Sequence, residues 1–200
     1  MKTKNIDLDL KIYFRDIEKG IKKTRFTFRD DSIDDLSFRD GLNIIMNWLL
    51  ECKSKGNKLV FIGNGGSAAI CSHMAIDFTN AGKMRAIDFN SGPLITCLAN
   101  DYGFENFFAK AIEVHGCEND IIVAISSSGR SQDILLGVEA GQKLGCKVIT
   151  LSGFNENNPL SLLGDINIYV PMLKYGHVEV SHYFILHFLL DCLAEKNPAN

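Results

Sequence analysis

The sequence predicts an α/β fold built on a doubly wound parallel sheet, and three observations carry that prediction. Leu59, Val60, Phe61 and Ile62 form a short apolar run bounded by turn residues, the pattern of a strand buried on both faces. The run passes at once into Gly63, Asn64, Gly65 and Gly66 and then into a helix opening at Ser67. A second unit of the same kind follows, with a strand over Asp120 to Ile125, a loop over Ser126 to Ser131 and a helix over Gln132 to Leu144. Met84 to Phe89, Lys147 to Leu151 and Ile166 to Val170 supply further strands, five in all, alternating with helical segments. Such a sheet binds its ligands beyond the carboxyl ends of its strands.

Both loops are suited to an anion. Glycines admit tight turns with positive φ and let main-chain N–H groups approach a ligand, and the helix that follows presents unpaired amides and the positive end of its dipole. In the second loop the hydroxyls of Ser126, Ser127, Ser128 and Ser131 join the amides at a helix start, although a serine-rich cap without ligand has the same composition. Gly63-x-Gly65-x-x-Ala68 also satisfies the loose dinucleotide fingerprint, with Asp88 at about the spacing of a ribose-binding acid. A triphosphate loop is excluded, because no Lys-Ser or Lys-Thr pair follows the glycines.

The N-terminal quarter tilts the balance away from a dinucleotide domain, which begins with its first strand. Ile6 to Ile21 carries Leu8, Leu10, Ile12, Phe14 and Ile17 among charges and reads as a helix whose apolar stripe covers the domain or meets another subunit. Phe26 and Phe28 read as packing anchors. Ser32 and Asp35 resemble a capping box ahead of a helix carrying Leu36, Leu42, Ile45, Met46, Leu49 and Leu50. Residues 1–57 are thus expected to form a helical segment and residues 58–200 the domain proper. Later, two helical pieces separate near Asn100 to Gly103, and His177 to Glu195 closes the chain as an apolar helix.

Bulk properties narrow the function. A chain of 200 residues, 46% hydrophobic, can bury a sizeable core, and a formal charge of -3 without a basic cluster argues against a nucleic-acid partner. No stretch has membrane-spanning length and the start lacks the apolar core of a signal peptide, so the expectation is a cytoplasmic protein with no membrane partner. The six cysteines contain no Cys-x-x-Cys pair and are expected to be reduced and buried.

FIGNGGSAA, LANDYGFE, ISSSGRSQDI and KVITLSG, in this order and spacing, resemble the sugar isomerase (SIS) domain of phosphoheptose isomerases from about Lys58 onward. The resemblance implies a flavodoxin-like α/β fold, a homotetramer, a sugar-phosphate ligand without nucleotide cofactor, and isomerisation of sedoheptulose 7-phosphate for bacterial surface polysaccharide. By position, Gly65, Gly66, Ser67, Ser126, Ser127, Ser128 and Ser131 match the phosphate cradle, and Asn64, Asn100 and Asp101 match residues near the sugar. Asp77 stands where the family has its catalytic glutamate, and His187 matches its catalytic histidine. Aldose–ketose interconversion moves a proton between adjacent carbons through an enediol, work that a carboxylate and an imidazole can divide.

Three departures from the family pattern stand out. Asp77 is one methylene shorter than glutamate, Ala81 replaces an arginine, and Glu179 replaces a glutamine. His73 and Asp77 share a helix face, as Glu179 and His187 roughly do. If those helices pack as in the family, His73, Asp77, Glu179 and His187 form a site for one divalent cation, zinc by composition. Relatives of this domain that sense sugar phosphates, or that serve as a scaffold binding the replication initiator, supply a non-catalytic alternative. Of the other histidines, His115 is expected at the surface, His177 at the start of the last helix near the cleft, and His182 either supporting the site or on the helix surface.

Overall fold

The computed structural model describes residues 6–29 and 36–195, so Ser32 and Asp35 of the expected capping box lie outside the described residues. Its elements run α1 (Ile6–Lys22), β1 (Arg25–Phe28), α2 (Phe38–Ser54), β2 (Lys58–Gly63), α3 (Gly66–Asn80), β3 (Arg85–Asp88), α4 (Gly92–Tyr102), α5 (Phe107–His115), β4 (Ile121–Ser126), α6 (Gln132–Lys143), β5 (Lys147–Ser152), β6 (Ile166–Tyr169) and α7 (Tyr175–Glu195). Helix α2 begins one step after Ser37, whose hydroxyl oxygen accepts the N–H of Asp40 at 3.1 Å. The pair has the same Ser-x-x-Asp form expected at Ser32, set at the true start of the helix.

The sheet order is β1-β6-β5-β4-β2-β3. The pairs from β3 through to β6 are parallel, with registers such as Val60 opposite Ile122 and Ala124 opposite Thr150. Taken alone, these five strands follow the flavodoxin-like order, with the direction of winding reversing between β2 and β4. β2 and β4 are buried along their whole length, as strands covered on both faces must be.

One correction concerns the strand count. The sheet has six strands, because β1 pairs antiparallel with β6, Phe26 opposite Ile168. The N-terminal segment expected to be helical therefore contributes an edge strand as well as two helices. Four residues are too few to show a clear period, and the pairing is set by a strand far along the chain. Phe26 is nonetheless a packing anchor: it is 1% exposed, and a methyl placed on Gly41 would fall 2.3 Å from its ring.

Helices α2, α3 and α7 cover one face, around Phe61, Phe78, Ile45 and Leu189. Helices α4, α5 and α6 cover the other, around Ile62, Phe108, Ile112 and Val138. Burying two such apolar layers at about 25 cal/mol per Å² is what holds this arrangement together. Outside both layers α1 lies against α7, with Ile6, Leu8, Leu10 and Phe14 exposed. Cys52, Cys71 and Cys146 are buried and Cys97 and Cys117 exposed, so burial holds for only part of the set; all six are free thiols. Among the described residues no helix is long and apolar enough to cross a membrane.

Candidate active site

Two strand ends and three helix starts meet at the reversal point between β2 and β4. Gly65, at φ 54, turns the chain out of β2 and precedes α3 without a side-chain cap. The first amides bonded within that helix are those of Ala68 and Ala69, which donate to the carbonyls of Asn64 and Gly65. The preceding amides remain available to an anion. Across the gap, β4 ends in the serine loop, and Ser131 precedes α6 with its hydroxyl unused as a cap. Asn64, Gly65, Gly66, Ser67, Ser126, Ser127, Ser128 and Ser131 line a cavity of about 230 Å³, together with Ile125, Tyr175 and Glu179.

The cradle's polarity is directed inward. Ser126 and Ser127 are buried, and the hydroxyl of Ser127 has no hydrogen-bond partner among the described residues. A buried hydroxyl costs free energy unless a ligand or water satisfies it, so Ser127 is a donor awaiting an acceptor. Ser126 Oγ accepts the Gly129 N–H at 3.2 Å, and Ser128 Oγ accepts the Arg130 N–H at 3.3 Å. These bonds fix the loop that presents the hydroxyls.

A residue that sequence reasoning missed holds the other wall. Both carboxylate oxygens of Asp133 accept from the Asn64 side-chain amide nitrogen, at 3.0 and 2.8 Å, which fixes the orientation of the Asn64 amide at the cavity. Burial pushes the Asp133 carboxyl up from its ordinary value, against the opposing pull of Asn64 and two backbone amides. In sequence, an acid in the first turn of α6 is indistinguishable from one complementing the helix dipole.

Further along α3, His73 and Asp77 face α7. Nε2 of His73 lies 3.0 Å from Oδ2 of Asp77. The His187 ring, from α7, is 5.5 Å from that of His73, and Tyr183 packs edge-on against both histidines at 5.3 and 4.4 Å. One ligand atom from each of His73, Asp77 and His187 falls within 4.8 Å of the others. Two imidazoles and a carboxylate at that spacing suit a divalent transition metal. They equally form a relay able to take and return a proton.

Not every expected residue joins these two groups. Glu179 lies outside the three-residue cluster and lines the cradle: a methyl on Gly66 would fall 2.6 Å from its Oε1. Asn100 and Asp101 are exposed on α4, bonded to each other at 3.0 Å, and do not line the cavity. His115 is exposed at the end of α5. His177 is buried, its ring 4.4 Å from Tyr13 of α1. His182 is neither on the helix surface nor in the site. It is fully buried, its Nε2 donating to the Ser152 carbonyl at 3.0 Å, and burial lowers its pKa to about 4.

Fold and cradle together define the class, a doubly wound α/β domain with a cavity lined by hydroxyls and helix-start residues at the point where its winding reverses. The SIS domain family model matches residues 37–153, and the chain belongs to the SIS domain family, in its phosphoheptose isomerase branch. It is 30% identical over 189 residues to a phosphoheptose isomerase of Helicobacter pylori, covering 90% of this chain and 97% of the relative. It is 32% identical over 158 residues to that of Geotalea daltonii, covering 76% and 82%. A solved phosphoheptose isomerase from Francisella tularensis superposes with a TM-score of 0.81 at 26% identity, over 98% of this chain and 100% of that one.

Proposed function

We propose that the protein interconverts sedoheptulose 7-phosphate and D-glycero-D-manno-heptose 7-phosphate through an enediol. The observation that carries this reading is the meeting of His73 and Asp77 of α3 with His187 of α7 in one cluster, further along the helix whose start borders the cradle. Six to ten residues of helix separate Ser67 from His73 and Asp77, a rise of about 9 to 15 Å. A ligand of several carbons, phosphate end in the cradle, extends along α3 toward the cluster. The relatives named phosphoheptose isomerase give the substrate.

In this reading Asp77 removes the proton from the carbon bearing the hydroxyl and His187 exchanges a proton with the neighbouring oxygen. His73, 3.0 Å from Asp77, holds the carboxylate in place. Serine hydroxyls and the amides of α3 and α6 fix the phosphate and, through it, the register of the carbon chain. Asn100 and Asp101 take part on the family pattern, as residues brought toward the sugar of a neighbouring subunit. Zinc is the cation the cluster suits best, and His73, Asp77 and His187 would hold it with the fourth position left to the substrate. Bound there, it would polarise the substrate's oxygens as a Lewis acid. A homotetramer in the cytoplasm, feeding heptose to a surface polysaccharide, completes the proposal, and the exposed apolar residues of α1 supply surface for subunit contact.

Solvent-proton exchange into sedoheptulose 7-phosphate, followed by NMR before and after chelation and zinc addition, tests the reading. Exchange with appearance of an aldose phosphate is the expected result, and the chelator arm reports whether the cation assists. Binding without exchange in every arm would instead favour a sugar-phosphate sensor on the same fold.

A further inference from the structure

A second and larger cavity, of about 370 Å³, opens between the C-terminal part of α1 and the segment leading into α7. Lys19, Lys23 and Lys174 line it, with Asp16, Met172 and His177. Among the described residues none of the three lysines has an ion-pair partner, whereas the Asp16 carboxylate lies 3.6 Å from the Arg15 guanidinium. His177 is 4% exposed, and its buried Nε2 has no hydrogen-bond partner among the described residues. Lys174 accepts the N–H groups of His177 and Val178 through its carbonyl, so the open amides at the start of the 21-residue helix α7 are those of Tyr175 and Gly176. Three lysines without ion-pair partners and a buried imidazole nitrogen without a hydrogen-bond partner share one concavity, beside the start of that helix. The cations favour an anion, and the imidazole nitrogen is a group for it to satisfy.

We propose that this cavity is a second anion site, binding a small phosphate-bearing molecule separately from the cradle. Its volume of about 370 Å³ and its apolar side, built from Pro171, Met172 and Leu173, suit a compact phosphorylated organic molecule better than a bare ion. The site also sits back to back with the cradle across one turn of helix: Lys174 and His177 face the new cavity, while Tyr175 and Glu179 face the old one. A ligand held there bears on the backbone that carries Glu179 to Gly66. None of this depends on which reaction the cradle serves.

Pyrophosphate is the probe, titrated calorimetrically into the full chain. Two binding events per chain are expected. Lys19→Ala/Lys23→Ala, two exposed positions at and just beyond the last turn of α1, is expected to weaken one of them about tenfold or more and leave the other unchanged. Ser127→Ala/Ser131→Ala is expected to do the reverse. The ring protons of His177 should shift on addition of pyrophosphate to the wild type and to the serine variant, but not to the lysine variant. A single event per chain that disappears in the serine variant would overturn the proposal. So would a lysine variant that titrates like the wild type, or a His177 signal that pyrophosphate leaves in place.

Discussion

Nε2 of His73 and Oδ2 of Asp77 stand 3.0 Å apart on successive turns of α3, so the proposed base comes with its own orienting partner. Asp77→Asn keeps size and hydrogen bonding but cannot accept a proton from carbon. Turnover of sedoheptulose 7-phosphate is expected to fall roughly 100-fold or more, with substrate binding retained in a direct titration. Turnover at the wild-type rate would remove Asp77 from the role of base.

The second expectation concerns the carboxylate in the cradle. Glu179 places a carboxylate beside Gly66 in the cavity proposed to take the phosphate, and like charges at close range repel. Glu179→Gln should therefore lower KM several-fold, an electrostatic gain that rising salt erodes. Steady-state kinetics at two ionic strengths checks both parts. A raised KM would mean that Glu179 holds the ligand through some other contact.

Asp133 acts through Asn64 and does not itself line the cavity. Asp133→Ala frees the Asn64 amide to rotate and is expected to raise KM about tenfold, while Asp133→Asn, still able to accept one of the bonds, recovers most of the loss. A purely structural role would lower stability in both variants and leave KM alone.

Stability should depend on pH through His182. Burial holds its pKa at about 4, against an ordinary value of about 6.5 in the unfolded chain. The folded state thus keeps the ring neutral where the unfolded state takes up a proton. The contribution is complete above pH ~6.5, declines as pH falls toward 4, and amounts to about 3 kcal/mol across that window. Urea midpoints measured between pH 7.5 and 4.5 should fall more steeply in the wild type than in His182→Phe. Parallel slopes would assign the acid sensitivity elsewhere.

Lys58 and Asp120 form a buried ion pair at 2.5 Å, with side-chain exposures of 7% and 1%. Asp120 also accepts the backbone N–H of Lys58 and that of Cys117, at 2.9 and 2.8 Å, which pins the start of β2 to the start of β4. Asp120→Ala strands the ammonium and two amides, and should cost about 3–5 kcal/mol in chemical denaturation. Replacing both partners with apolar residues should recover part of that loss.

The parts legible in the sequence were those whose cause is local. The turn at Gly63 to Ser67 and the serine run at Ser126 to Ser131 each announce a strand end passing into a helix start, because glycine, hydroxyls and helix-forming residues follow one another within a few positions, and both loops line the one cavity. The reversal of winding that brings the two loops together follows from strand–helix alternation. What depended on tertiary packing was not legible. β1 exists because β6 offers it an edge, Glu179 reaches Gly66 because α7 crosses the start of α3, and His182 is buried because the sheet lies under that side of α7. Asp133 matters through a side chain far off in sequence, and no period or motif marks it.

The edge strand has a consequence for the chain as it is made. Thr27 of β1 meets Asn167 of β6 across 140 residues, so at 5–20 residues per second the ribosome delivers the partner roughly 7–28 s after the strand itself. During that interval Phe26 and Phe28 stand in a short segment with high β-propensity and no mate, the kind that seeds association between nascent chains. Arg25 and Arg29 flank it, and in the finished protein they pair with Glu156 and Asp165 beside the late-arriving strand. The same two cations that guard the segment while it waits then lock it in place once β6 appears.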